Sequence, residues 1–237
     1  MGHGVQPRRS FYVWKIKLVN LSIYSIHKMT AFGRSFYLFF YLLFKILKMK
    51  KTEIVFRQGK KVILRPVEES DLPLFQKWMN DYDVTQYLAR ILPASIKDEQ
   101  EWFERISKPS GDDVSLAILD CKTKKLIGSL GIHKINHVSK TATTGTAIGD
   151  KSYWGKGYGT EAKMLLLEFA FNELNLRKIY SEVIGYNKRS ISYAKTCGYV
   201  EEARLPNHYF KKGRYWDQVI LAVYKSPWQK IWREYSK

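Results

Sequence analysis

Cysteine is scarce in this chain: Cys121 and Cys197 lie far apart among 237 residues and in no paired motif. That excludes a disulfide framework and a cysteine-based zinc site, and makes a reducing cytoplasm the expected compartment. Long apolar runs are missing too. The strongest, Phe36–Phe44, would rise only about 20 Å as a helix even when extended to residues 35–47, against the ~30 Å of a bilayer core. No small-residue cleavage site follows it before Met49, which argues against a signal peptide. There is no internal repeat and no low-complexity tract. Acidic residues are absent from residues 1–50, which hold nine of the 40 basic ones. Half of the net charge of +18 therefore sits in the first fifth of the chain. The remaining excess suits attraction of a polyanionic cofactor or an acidic substrate. Regular basic and aromatic alternation is lacking, so no nucleic-acid partner is expected.

Composition divides the chain into a basic, aromatic extension over residues 1–48, a globular domain over 49–225 and a C-terminal helical tail over 226–237. Three readings of the extension stand open. It is an interfacial anchor making membrane contact through residues 35–47, a helix packed on its own domain, or a segment outside the natural protein, with Met49 the start. The domain has a size that buries a good core and suits a monomer or a homodimer.

Periodicity and punctuation supply the elements. Residues 61–65 read as a strand and 71–78 as an amphipathic helix, with Leu72, Phe75 and Trp78 on one face. Ser95 and Asp98 form a capping box that opens a helix through Ile106. Residues 114–120 and 126–135 make a hairpin around the 122–125 turn. Residues 144–149 and 177–184 are further strands. Asn187 opens a short helix that ends near Gly198, a natural C-cap. The last strands, 199–203 and 216–224, flank the 211–214 turn, and Ser226-Pro227 opens a final helical turn or two.

The most informative segment is Trp154-Gly-Lys-Gly-Tyr-Gly-Thr-Glu-Ala162. A strand precedes it and a helical run follows, and its glycines stand at alternate positions. A helix that starts there offers free N–H groups and the positive end of its dipole to an anion, commonly a phosphate or pyrophosphate. A Walker loop is excluded, because no Lys-Ser/Thr follows the last glycine. A dinucleotide fold is disfavoured by the loop's late position after hairpin strands.

One strand downstream lies Asn187-Lys-Arg-Ser-Ile-Ser-Tyr-Ala-Lys-Thr-Cys-Gly-Tyr199. Together with residues 148–162 it resembles the acyl-CoA motifs of GNAT-superfamily N-acetyltransferases. The likeness is greatest to the branch of ribosomal-protein N-terminal (RimJ/RimL-like) and spermidine acetyltransferases. Leu64-Arg65-Pro66 with Asp71, Trp78-Met-Asn-Asp81 and Gly213-Arg-Tyr-Trp-Asp217 extend it over residues 53–224. The family commonly opens its loop with Arg or Gln; Trp154 is a mark of this branch. The resemblance implies an α/β (α+β) single domain, with a mixed, mostly antiparallel sheet flanked by helices and a V-shaped splay between two strands. Acetyl-CoA, as co-substrate, would lie in that gap. Its pantetheine arm would bond the backbone near Ala147, Ile148 and Gly149, and its pyrophosphate would sit on Gly155, Lys156, Gly157, Tyr158 and Gly159, flanked by Trp154 and Thr160. Asn187 and Ser190 would hold the far side of the arm.

The implied reaction is direct acetyl transfer to a primary amine, on a protein N-terminus or a small molecule. An aliphatic amine is mostly protonated at neutral pH, so a base must take a proton. An N–H near Gly149 would hold the oxyanion. Glu182 is the favoured base, with Asp150 as second candidate and His133 and His137 nearby in sequence. Many relatives place a thiolate-protonating Tyr seven residues after the motif Asn; here that position is Ala194, so the acid is its neighbour Tyr193 by a shifted geometry, another Tyr, or none at all. An acyl-CoA-binding sensor without transfer is the alternative reading. A polyamine acceptor would need local acids, for which Glu68, Glu69, Asp81 and Asp83 are the candidates.

Overall fold

A computed structural model describes residues 54–108 and 111–237. The extension and its three readings lie outside the described residues. Those residues form one unit, 54–237. They build an eight-stranded sheet in the order β1-β2-β3-β4-β5-β6-β8-β7. The strands are β1 (Arg57–Gln58), β2 (Val62–Pro66), β3 (Val114–Asp120), β4 (Leu126–Asn136), β5 (Thr141–Ile148), β6 (Lys178–Ile184), β7 (Val200–Lys211) and β8 (Arg214–Tyr224). The helices are α1 (Leu72–Met79), α2 (Tyr82–Thr85), α3 (Ile96–Ile106), α4 (Tyr158–Asn172), α5 (Lys188–Thr196) and α6 (Lys225–Tyr235). Every neighbouring pair of strands is antiparallel except β5–β6. The mixed sheet and its flanking helices are those expected from the sequence.

Alternation along the strands sorts the core into two layers, since successive side chains point to opposite faces. Val62, Leu64, Leu116 and Ile118 turn to one face, where they pack with α4, Tyr199 and Trp228. Ile63, Ala117 and Leu119 turn to the other. On that other side Leu72, Phe75 and Trp78 of α1 pack with Trp102 and Phe103 of α3 and with Leu126. Helix α4 is buried around much of its circumference through Ala162, Met164, Leu166, Leu167, Ala170 and Phe171, as befits a helix enclosed by the sheet and other helices.

Two elements are much longer than sequence reading gives. Strand β7 runs to Lys211 rather than Ala203, because Pro206 and two register shifts interrupt its alternation. Proline is tolerated there since β7 is an edge strand. Helix α6 is eleven residues long, not a turn or two. Its Trp228 is fully buried against Phe171, with ring centroids 5.1 Å apart, and stacks on Trp232.

Trp228→Ala is therefore expected to cost about 3–5 kcal/mol of folding stability. Urea unfolding would measure it, and an unchanged midpoint would mean that α6 contributes no core.

Candidate functional site

Strands β5 and β6 pair in parallel only at Thr141↔Lys178, Ala142↔Ile179 and Thr143↔Tyr180, and then part. Thr144 closes the vertex. Its Oγ1 donates to Tyr180 O at 3.1 Å and accepts from Lys163 Nζ at 2.8 Å. Tyr199 OH lies 2.9 Å away. A hydroxyl has one proton, and Thr144 gives its own to Tyr180, so Tyr199 must be the donor in that last bond. Lys163 is fully buried, and burial pushes its ammonium down to about 8. Sequence reading missed all of Thr144, Lys163 and Tyr199.

The glycine loop is built from backbone and braced by side chains. Asp150 caps the 151–153 turn, its Oδ1 accepting from Ser152 N and Oγ at 3.0 and 2.7 Å. Gly155 and Gly157 take φ of +72° and +84°, the left-handed region that glycine enters without strain. Gly157 is also the N-cap of α4. Lys61 Nζ donates to Lys156 O at 2.8 Å, and Tyr158 OH donates to Asp120 Oδ2 at 3.0 Å. The carboxylate of Glu161, buried in the first turn of α4, accepts from the N–H groups of Lys60, Lys61 and Val62 at 3.0, 2.6 and 2.8 Å. The β1–β2 turn thus clamps the helix whose start makes the cradle. Glu161 was not among the expected site residues.

Between the splayed strands and this loop lies a cavity of about 530 Å³. Ala147, Ile148, Trp154, Gly155, Gly157, Tyr158, Gly159, Thr160, Asn187 and Ser190 line it, as do Glu182 and Tyr193. Lys156, Gly149 and Asp150 do not line it. Asn187 lines the cavity and caps α5 as well, accepting from Ser190 N at 3.1 Å.

Strand phase corrects the expected backbone contacts. Gly149 N donates to Ile127 O at 2.9 Å, so it is spent inside the sheet and cannot serve an oxyanion. By antiparallel alternation Ala147, opposite Ser129, also directs its backbone groups to β4. The groups of Thr146 and Ile148 face the cleft instead. Ile148 O already accepts from Trp154 Nε1 at 2.7 Å. Gly149 is required for another reason: a Cβ there would fall 1.9 Å from the Trp78 ring.

The family model for the acetyltransferase (GNAT) domain matches residues 61–200. The chain belongs to the GNAT acetyltransferase family. It is similar to spermidine N(1)-acetyltransferase of Vibrio cholerae, with 28% identity over 169 residues, 71% of this chain and 95% of that one. It is also similar to the uncharacterized N-acetyltransferase p20 of Bacillus licheniformis, with 26% identity over 168 residues, 70% of this chain and 94% of that one. Among solved structures it resembles the Vibrio cholerae spermidine N-acetyltransferase in complex with CoA and spermine. There the TM-score is 0.67 and the identity 25%, covering 72% of this chain and 99% of the other. The chain is an acetyl-CoA-dependent N-acetyltransferase of an amine. The cavity fits that co-substrate: the loop offers N–H groups at a helix start for a pyrophosphate, and β5 offers free backbone groups to an amide-bearing arm.

The candidate proton-transfer groups of this acetyltransferase fare differently. Glu182 lines the cavity and is exposed, with no hydrogen bond or ion pair to another described residue. Tyr209 stands near it; burial, and then the Glu182 charge, push the Tyr209 phenol up. Tyr193 faces the cavity, whereas Ala194 is buried in the core. The helix phase thus presents position 193 where position 194 would be expected. Burial pushes the Tyr193 phenol up, so it keeps its proton. Asp150 is corrected from base candidate to loop cap. Burial would raise its pKa, but bonds from Lys125, 2.6 Å away, and Ser152 hold it below the usual carboxylate range. His133 and His137 lie beside Asp113 and Asp112, outside the cavity lining. Burial pushes the Cys197 thiol up to about 12, which leaves it a core filler.

Two outcomes follow. Glu161→Gln, whose amide NH₂ cannot accept, should raise the KM for acetyl-CoA on the order of tenfold with kcat nearly unchanged. Steady-state kinetics would read this, and an unchanged KM would remove Glu161 from the cradle's support. Lys163→Met should remove a titration. The folded pKa of Lys163, about 8, lies below the ~10.4 of an unfolded lysine, so its cost is fully present below about pH 8 and fades as pH rises from there to ~10.4. Denaturant unfolding across that window should show the parent gaining stability relative to the variant as pH rises; a constant difference would count against the buried titration.

Proposed function

We propose that this enzyme transfers the acetyl group directly to one primary amine, on a protein N-terminus or a small molecule, with Glu182 as base and Tyr193 as proton donor to the departing thiolate. The observation that carries this reading is that Glu182 is the only carboxylate among the described residues lining the cavity. An amine entering beside it finds an acceptor for its proton that no cation among the described residues occupies. Acetyl-CoA supplies an acetyl group already activated as a thioester; the chain's own residues hold, orient and move protons. Trp154, Gly155, Gly157, Tyr158, Gly159 and Thr160 would seat the pyrophosphate end. Thr146 and Ile148 would receive the arm, and Asn187 and Ser190 would flank it. The N–H of Ile148, facing the cleft, replaces that of Gly149 as donor to the acetyl oxygen.

Relatives named spermidine acetyltransferases make a polyamine one acceptor to test, and the RimJ/RimL-like motifs make a protein N-terminus another. A cytoplasmic setting is supported by two free cysteines, one of them buried.

Release of CoA thiol with a panel of amines tests the transfer. Glu182→Gln should lower kcat/KM roughly 10²-fold or more, the usual scale of positioned acid–base catalysis. Full activity in that variant would remove Glu182 as base. Tyr193→Phe should lower kcat by less than about 10²-fold, because a free thiol is already fairly acidic at ~8.5. An unchanged kcat would remove Tyr193 as donor.

A further inference from the structure

The acceptor side of the cavity carries a charge pattern that bears on the amine. Of the residues lining the cavity, only Glu182 and Arg189 are charged. Arg189 lies over the Trp154 ring, 3.9 Å from its centroid, and also 5.1 Å from that of Tyr87. The mouth near Tyr87 and Tyr209 is framed by two segments, the α2 turn and the tip of the β7–β8 hairpin. Lys211 Nζ donates to Thr85 O and Arg90 O at 3.1 and 2.8 Å. Lys212 Nζ donates to Gln86 Oε1 at 2.7 Å, and Tyr186 OH donates to Gln86 O. These bonds fix the tip's cations beside the mouth: Lys212 Nζ lies 5.8 Å from the centroid of Tyr87, a lining residue, and 4.7 Å from that of Tyr186. Arg214 stacks on Trp216 at 3.7 Å. None of Lys211, Lys212 and Arg214 forms an ion pair with a described carboxylate.

The acids that would welcome a polycation are elsewhere or neutralised. Asp81 and Asp83 both pair with Lys151, at 3.0 and 2.6 Å. Asp217 pairs with Arg204. Glu68 and Glu69 stand in the short turn before α1, outside the cavity lining. An acceptor with several ammonium groups could set one on Glu182 and would bring the others against Lys212 and Arg214. Lys212 Nζ, 5.8 Å from the centroid of the lining residue Tyr87, acts there within the ~8 Å Debye length at physiological salt, so screening does not remove its field at the mouth.

Resting on the reading that Glu182 receives the amine, we infer that the acceptor is a primary amine flanked by an anionic group, and that Lys212 and Arg214 select it against polycations. An acidic peptide N-terminus and a free amino dicarboxylate share this chemistry.

The test measures CoA thiol release from acetyl-CoA by the full chain. Its amines are a peptide beginning Ser-Asp-Glu, one beginning Ser-Gln-Gln, spermidine and free aspartate. The acidic peptide or aspartate should exceed spermidine in kcat/KM by about tenfold or more at low salt, and the gap should shrink at about 1 M salt. Which of the two leads separates a protein from a small-molecule source. Lys212→Glu, at an exposed turn position, should raise the spermidine rate and lower the acidic one, a reversal that lost folding cannot imitate; Lys212→Gln should fall between. Turnover without charge preference, or with spermidine foremost and unmoved by Lys212→Glu, overturns this inference alone. No turnover with any amine, while calorimetry still shows acetyl-CoA bound, overturns the transfer reading and this inference with it.

Discussion

A threonine hydroxyl has one proton to give and two lone pairs to fill, and Thr144 uses all three where β5 and β6 part. The parallel ladder ends at Thr143 and Tyr180. Beyond it two strands of a continuous sheet diverge, which leaves backbone groups without ladder partners. Such groups are tolerated only where something else can bond them. The Thr144 bond to Tyr180 O substitutes a side chain for the next ladder rung and fixes where the opening begins. Lys163 and Tyr199 then hold Thr144 from α4 and from the residue before β7. The opening, the groups free within it and the helix that faces it are therefore coupled through one oxygen atom.

The cradle depends on the same helix. Lys163 points from α4 to the vertex, and Glu161, two residues earlier, points to the β1–β2 turn. Gly157 begins the helix. Within about two turns, α4 fixes the strand opening, the edge of the sheet and the anion-binding loop relative to one another. A shift of the helix along its axis would disturb all three, so the distance between cradle and vertex is set by a rigid element and not by the loop. That is the arrangement a transfer enzyme needs, because a small misplacement of reacting groups lowers rate steeply.

Some of this was legible in the sequence and some was not. The glycine loop, Asn187 and Gly198 carry local marks: a required positive φ, a capping side chain, a helix end. The strands and amphipathic helices show their period. Glu161, Lys163, Thr144 and Tyr199 act through partners remote in sequence, and a Glu or Lys inside a helical run looks like surface until its partners are known. Gly149 was misassigned for a related reason. Its motif position was plain, but which strand groups face the cleft depends on register with β4, and one residue of phase exchanges them. Tyr193 against Ala194 is the helical form of the same problem. The sequence shows only the first part of β7 because a register shift at Glu201/Ala203 and a second across Leu205–Tyr209, where Pro206 sits, erase alternation on an edge where little is buried.

The division of labour among charges follows from how the cradle is made. Gly155, Gly157 and the α4 N-terminus attract an anion through backbone dipoles. The lysine inside the loop, Lys156, does not line the cavity, and Lys61 is engaged in holding that loop in shape. The loop and helix start that would seat the cofactor are thus built without the cations of the β7–β8 tip. Lys211 and Lys212 are pinned by hydrogen bonds to α2 and the segment after it and are not neutralised by any described acid, which suits a role outside cofactor binding. Had they served only to bolt the two segments together, glutamine could make the Lys212 bond to Gln86 Oε1 without a charge. A lysine in that place adds a long-range field that a neutral donor lacks. On the proposed reading, an acceptor bound for Glu182 enters that field first.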